Sequence, residues 1–196
     1  MGLGTKITGK TEGFKKLERK TWVDNPNVKE IGVPYYSYTN EFFQLLRDFE
    51  ENKDLTYLRR KFYWLFRKQT TEVVSKTKAL LREAGKIDVV FAYIHFPDLL
   101  NHVWYTDKDR LKKFYVETNE FVGHLKAILK ETHLLLISDH GFDFTKNDHS
   151  DFGFISSNKE MKFPKSIIEL GKQVKRYQRK SYDETGGISG KIHIHT

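Results

Sequence analysis

The sequence predicts an α/β fold, a mainly parallel sheet flanked by helices, and three observations carry that expectation. Two short apolar runs, residues 87–96 and 134–137, are too short for buried helices and end at once in polar residues, which is how strands covered on both faces read. Between them, residues 107–132 place Leu111, Phe114, Phe121, Val122, Leu125 and Leu129 at helical spacing, with Tyr115 and Thr118 on the same inner side. A strand, a long helix and a second strand form a crossover unit. The two strands are then parallel neighbours or near-neighbours, with their carboxyl ends at one edge.

The other elements follow in order. Residues 1–13 are rich in Gly and Thr without any period and read as a loop or extended arm; neither a preceding strand nor the P-loop spacing is there to make a phosphate cradle of them. Asp24-Asn25-Pro26-Asn27 is a turn signal, and residues 28–36 form a short strand that ends in a proline loop. Phe42, Phe43, Leu45, Leu46 and Phe49 give one helix its apolar face. Leu55, Leu58, Phe62, Leu65 and Phe66 begin another, which runs through Leu81 to a stop at Gly85. Its aromatic cluster, residues 62–66, is wider than one stripe and implies burial on two sides, as core packing rather than a substrate pocket. Residues 152–157 read as a strand, Pro164 opens a helix carrying Ile167, Ile168, Leu170 and Val174, and residues 185–196 are a Gly-rich segment followed by alternating Ile and His. The organisation expected is an irregular arm over 1–27, an α/β domain over 28–184, and a terminal strand or tail over 185–196.

Composition narrows the function classes. With 38% hydrophobic and 14% aromatic residues in 196, the chain is a folded globule with a real core, not a disordered segment. It has no cysteine, so disulfides and thiolate ligands are excluded and any transition-metal site must use oxygen and nitrogen. No apolar run approaches the ~20 residues that span a bilayer, and no leader pattern is present, so no membrane partner and a cytoplasmic location are expected. The net charge of +8 favours anionic partners, phosphorylated small molecules or nucleic acid, although lysines spread over helix faces for solubility are the plainer reading.

Chemistry concentrates after the two predicted strands. The first is followed by Pro97, Asp98 and, four residues on, His102; the second by Ser138-Asp139-His140-Gly141, with His149 beyond a short polar loop. Open α/β sheets keep their sites at this edge. Asp98 and His102 fall on one side of a helical turn. Asp139 and His140 point apart if extended, so the pair can serve two metals from opposite sides or be drawn together by a turn at Gly141. Carboxylates with imidazoles favour zinc, manganese or iron. Taken singly, each residue has a plainer role: Asp98 as a helix cap, His102 on the surface, Asp139 on turn amides with His140 hydrogen-bonded beside it. Five such groups at two strand ends argue for ligands. His95, His124 and His133 suit core or surface roles, Asp143 and Asp148 either orient imidazoles or are loop charges, and Trp104-Tyr105 lies close enough to cover a ligand. His193 and His195 share a strand face, so one of them could stand in for His149.

Asp98-x-x-x-His102, then Ser138-Asp139-His140-Gly141, then His149-Ser150-Asp151-Phe152-Gly153-Phe154 resembles the metal-binding half of the type I phosphodiesterase/nucleotide pyrophosphatase family, within the alkaline phosphatase superfamily. Trp22-Val23-Asp24 followed by Ile31-Gly32-Val33-Pro34 is similar to the family's segment leading into its second part. The resemblance covers residues 28–158 and implies an alkaline-phosphatase-like fold that hydrolyses phosphoric mono- or diesters with two divalent metal ions, zinc foremost and Mn or Fe as alternatives. It assigns Asp98, His102 and His149 to one metal. Asp139 and His140 go to the other, with an Asp from an amino-terminal segment, and a Thr or Ser between the metals is the nucleophile. No strand ending in Asp precedes residue 24, and Thr5, Thr8 and Thr11 follow no carboxylate. The family's first βα segment is therefore expected to be lacking, and no catalytic residue is assigned. Two other readings stand beside the hydrolase: a catalytically incomplete relative that binds metal and an anionic ligand, and a basic nucleic-acid-binding module. A sheet edge exposed by a lost strand would favour a homo-oligomer.

Overall fold

The computed structural model describes residues 21–34, 44–45, 47–48, 54–130, 132–183 and 191–195. In chain order these form strand β1 (Val28–Ile31), helix α1 (Leu55–Leu81), β2 (Val89–Tyr93), α2 (Phe96–Trp104), α3 (Lys108–Leu129), β3 (Leu134–Ser138), β4 (Gly141–Asp143), β5 (Asp148–Ser150), β6 (Phe154–Ser157), α4 (Ile167–Asp183) and β7 (Lys191–His195). The fold is α/β. Its larger sheet has the order β1-β2-β7-β3-β6. β1 pairs with β2, β2 with β7 and β7 with β3, all parallel. The outer strand β6 runs antiparallel to β3, and β4 with β5 forms a separate antiparallel sheet of two strands. Antiparallel pairing thus departs from the expected parallel arrangement at the outer strand β6 and in the β4–β5 hairpin. No crossover helix lies between β3 and β6, only the β4–β5 hairpin, so the chain returns in the opposite direction.

Strand periodicity sorts the core into two layers. Val90, Ala92, Ile94 and Leu134 pack against α1, α2 and α3 through Leu58, Phe62, Phe66, Leu100, Phe114 and Leu125. Val89, Leu135 and Ile137 face Leu170 and Val174 of α4, with Val23 and Val28. Val23 belongs to a 3-10 helix, Trp22–Asp24, whose Thr21 hydroxyl accepts from the Val23 amide, so part of the predicted irregular arm is ordered. The Gly/Thr-rich start at 1–13 lies outside the described residues. The same holds for most of the predicted helix around residue 45, of which Gln44, Leu45, Arg47 and Asp48 are helical.

Helix ends are set by local chemistry. Asp54 caps α1 by accepting from the Tyr57 amide at 2.9 Å, and Asp107 caps α3 by accepting from the Arg110 amide at 3.1 Å. α1 ends at Leu81, earlier than the Gly85 stop, and Gly85 sits in a following 3-10 turn. Its aromatic cluster is not buried on two sides: Phe62 and Phe66 are buried, whereas Trp64 is 55% exposed, with the ammonium groups of Lys61 and Lys68 at 5.8 and 5.4 Å over its ring. Trp104 does not cover a ligand either. It is buried in the core, its ring 5.9 Å from Tyr63 and 6.3 Å from Phe114. The terminal Ile/His stretch forms β7 inside the sheet, which makes β2 and β3 near-neighbours rather than neighbours. Among the described residues no helix is long and apolar enough to cross a membrane.

Two features hold the two ends of β3. The Asn158 side chain accepts from the Leu134 amide and donates to the Thr132 carbonyl, and Gly153 crosses directly over Ser138 and Asp139. A Cβ at Gly153 would meet the Ser138 carbonyl oxygen and lie 2.8 Å from the Asp139 carbonyl carbon. Gly153→Ala should therefore destabilise the protein by ~1–3 kcal/mol through overpacking. Gly123→Ala, on an open face of α3 with nothing within 4 Å, should stabilise it by up to ~1 kcal/mol. Urea denaturation of the two variants side by side checks the pair.

Candidate metal centre

α2 begins as β2 ends. Pro97 occupies its first turn, where a missing amide proton costs nothing, and Asp98 follows in that turn with His102 in the last. Their i,i+4 spacing turns both toward the β4–β5 hairpin, whose register sets His149 opposite Phe142. Three donor atoms converge there. Asp98 Oδ1 lies 3.6 Å from His102 Nε2 and 3.2 Å from His149 Nε2, and the two imidazole nitrogens are 3.2 Å apart. Phe142 holds the His102 ring edge-on, with centroids 4.9 Å apart.

These distances and the state of Asp98 test whether a cation fits. Asp98 Oδ1 is buried without a hydrogen-bond donor, which is costly for a carboxylate oxygen unless a positive charge faces it. Nitrogen and oxygen ligands at 2.0–2.1 Å from a tetrahedral zinc are ~3.3–3.4 Å from one another. The three separations bracket that spacing, so the residues fit three corners of a tetrahedral site.

Asp139 and His140 form a second, smaller pair. Ser138 Oγ donates to the His140 carbonyl at 2.6 Å, tightening the turn after β3. His140 Nδ1 donates to the Gly141 carbonyl at 3.1 Å, a bond that places its proton on Nδ1 and leaves the Nε2 lone pair free. Nε2 lies 3.6 Å from Asp139 Oδ1, so the turn draws together two side chains that an extended strand would separate. The His140 ring stacks on His149, centroids 3.8 Å apart and 18° from parallel, which joins the two groups. Of the two loop carboxylates, Asp143 shapes the hairpin turn: it accepts from the Thr145 hydroxyl and amide, which hold it down at about 2. Asp148 bonds the His149 amide and favours the charged form of His102.

A profile of the type I phosphodiesterase / nucleotide pyrophosphatase family matches residues 10–185. The chain belongs to that family. No curated protein and no solved structure matches it. The match spans Asp98, His102, Asp139, His140 and His149 and stops before β7. In this family member the register sets His195 beside Tyr93 and Ile137, at the carboxyl rim of the sheet; the side chains of His193 and His195 lie outside those described.

Among the remaining histidines, His133 is buried with Nε2 2.8 Å from Ser157 Oγ and serves the fold, and His124 is exposed on α3. Sequence reasoning missed Tyr93, Phe142 and the site-side role of His95. Tyr93 and His95 alternate out of β2 toward the same edge as Asp98, a signal available in the strand's period. Burial, with Asp139 and Asp98 nearby, pushes the Tyr93 phenol up to about 12, so it remains a hydrogen-bond donor. Burial lowers His95 to about 4 and also lowers His102. The unfolded chain binds these protons from 6.5 downward while the folded chain does not. Metal-free protein should therefore lose stability as pH falls from 6.5 to about 4, each group adding at most ~1.4 kcal/mol per pH unit. Urea midpoints across that range should show a shallower slope in His95→Phe.

Proposed function

We propose that the chain is a metal-dependent hydrolase of phosphoric mono- or diesters, or the metal-holding part of one, acting through a two-metal site. The observation that supports this most is the buried Asp98 oxygen facing two imidazole nitrogens in a chain of this family. In this reading Asp98, His102 and His149 hold one divalent ion, zinc foremost, and Asp139 with His140 holds the other. Bound ions polarise the phosphoryl oxygens and lower the pKa of the attacking group. The chain's own residues keep that arrangement rigid. The Gly141 carbonyl fixes the His140 tautomer, Phe142 and the His140 ring fix the two other imidazoles, and the Tyr93 hydroxyl stays protonated near Asp139 and Asp98. No hydroxyl is assigned as nucleophile: Ser138 Oγ donates to the His140 carbonyl and Ser150 Oγ to the Phe152 carbonyl.

One observation favours a second reading, a relative that binds metal and an anionic ligand without turnover. Among the described residues a single group of three metal-ligating side chains converges, and Asp139 with His140 supplies two donors.

Protein purified without chelator and supplied with zinc should hydrolyse bis(4-nitrophenyl) phosphate or 4-nitrophenyl phosphate. His102→Ala and Asp139→Asn should each reduce turnover by more than the ~10–100-fold typical of an outer-sphere partner. Zinc uptake with no turnover of either ester supports the second reading. No uptake of zinc, manganese or iron defeats both.

A further inference from the structure

The larger sheet sets β7 between the two strands that lead into the proposed ligands. Asp98 follows β2, in the first turn of α2, and Asp139 with His140 follows β3. β7 runs parallel to both strands, so its carboxyl end reaches the same rim. The residue it brings there is His195, level with Tyr93 on one side and Ile137 on the other. Neighbouring strands lie ~4.8 Å apart, which puts position 195 midway between the two strands that deliver the carboxylates. Both carboxylates act on this strip of the rim: Asp139 and Asp98 each push the Tyr93 phenol up.

Register also fixes the face, because residues level with one another in a sheet share one. Ile192 and Ile194 are level with Val90 and Ala92, which belong to the core shared with α1, α2 and α3. Positions 193 and 195 are therefore on the opposite face, the face of Ile137. Asp139 comes two residues after Ile137, one strand period nearer the rim. Position 193 is one period further back, level with Phe91 and Leu135 in the apolar body of the sheet. Of the two histidines in the Ile/His alternation, His195 is thus the one at the rim.

The two halves of the centre differ in their donors. Asp98, His102 and His149 make a set of three, whereas Asp139 and His140 supply two, 3.6 Å apart. Catalytic zinc sites built from oxygen and nitrogen take three ligands from the protein and leave the fourth position open. The Asp139 side chain is 60% exposed, so the smaller pair has an open flank on which a further ligand can stand. We propose that His195 is the third protein ligand of the ion at Asp139 and His140, and that β7 completes this second site. The inference rests on the two-metal reading and deepens it by naming the donor that the pair lacks, on a strand outside the span that the family profile matches.

The metal content of the full chain, after zinc loading and gel filtration, tests it. The natural protein should retain about two zinc ions per chain, His195→Ala about one and His193→Ala about two. Two ions kept by a His195→Ala protein with a native circular dichroism melt overturn the inference and leave the two-metal reading standing. One ion or none in the natural protein removes both. The absence of cysteine from the chain allows a second measurement that depends on a gain rather than a loss. X-ray absorption of zinc-loaded His195→Cys should show zinc–sulfur scattering at ~2.3 Å, and that of His193→Cys should not. A zinc shell without sulfur in His195→Cys, or with sulfur in both variants, overturns the assignment of His195.

Discussion

A carboxylate oxygen shut away from water that makes no hydrogen bond is the constraint around which this molecule is arranged. Asp98 Oδ1 is in that position, and two imidazole nitrogens face it at 3.2 and 3.6 Å. Protonated imidazoles could compensate it, but burial disfavours the charge on His102. A bound cation would supply the missing positive charge without that penalty. The scaffold serves the same end: α2 starts where β2 stops, Pro97 sets its first turn, and one α-helical turn separates Asp98 from His102. The β4–β5 hairpin then carries His149 back over the pair.

Charge is distributed in keeping with this. Lys61 and Lys68 lie beside the exposed Trp64 on the outer face of α1, while among the described residues the cavity beside Asp98 and Asp139 is lined by no Lys or Arg. A net charge of +8 aids solubility and draws anions from a distance.

Much of this was legible in the sequence where the signal is local. The apolar runs of β2 and β3, the helical stripe of α3 and the i,i+4 pair Asp98/His102 each depend on residues a few positions apart, and the structure has them as expected. What was not legible depends on distant pairing. Nothing in the period of residues 191–195 says that they insert between β2 and β3, and two strands of three residues, β4 and β5, are too short to leave an alternation. The hairpin is nonetheless what seats His149 opposite Phe142 and beside His102. Trp104 and Trp64 were misplaced for a related reason: which side of an aromatic-rich helix is covered is decided by the elements packed on it, here α3 for Trp104 and solvent for Trp64.

The central claim is that Asp98, His102 and His149 grip one cation together. X-ray absorption at the zinc edge of the zinc-loaded chain measures this directly. The account predicts a first shell of nitrogen and oxygen at ~2.0–2.1 Å, with imidazole scattering that diminishes in His102→Ala and again in His149→Ala. A zinc spectrum without imidazole scattering, or one unchanged by either substitution, contradicts it.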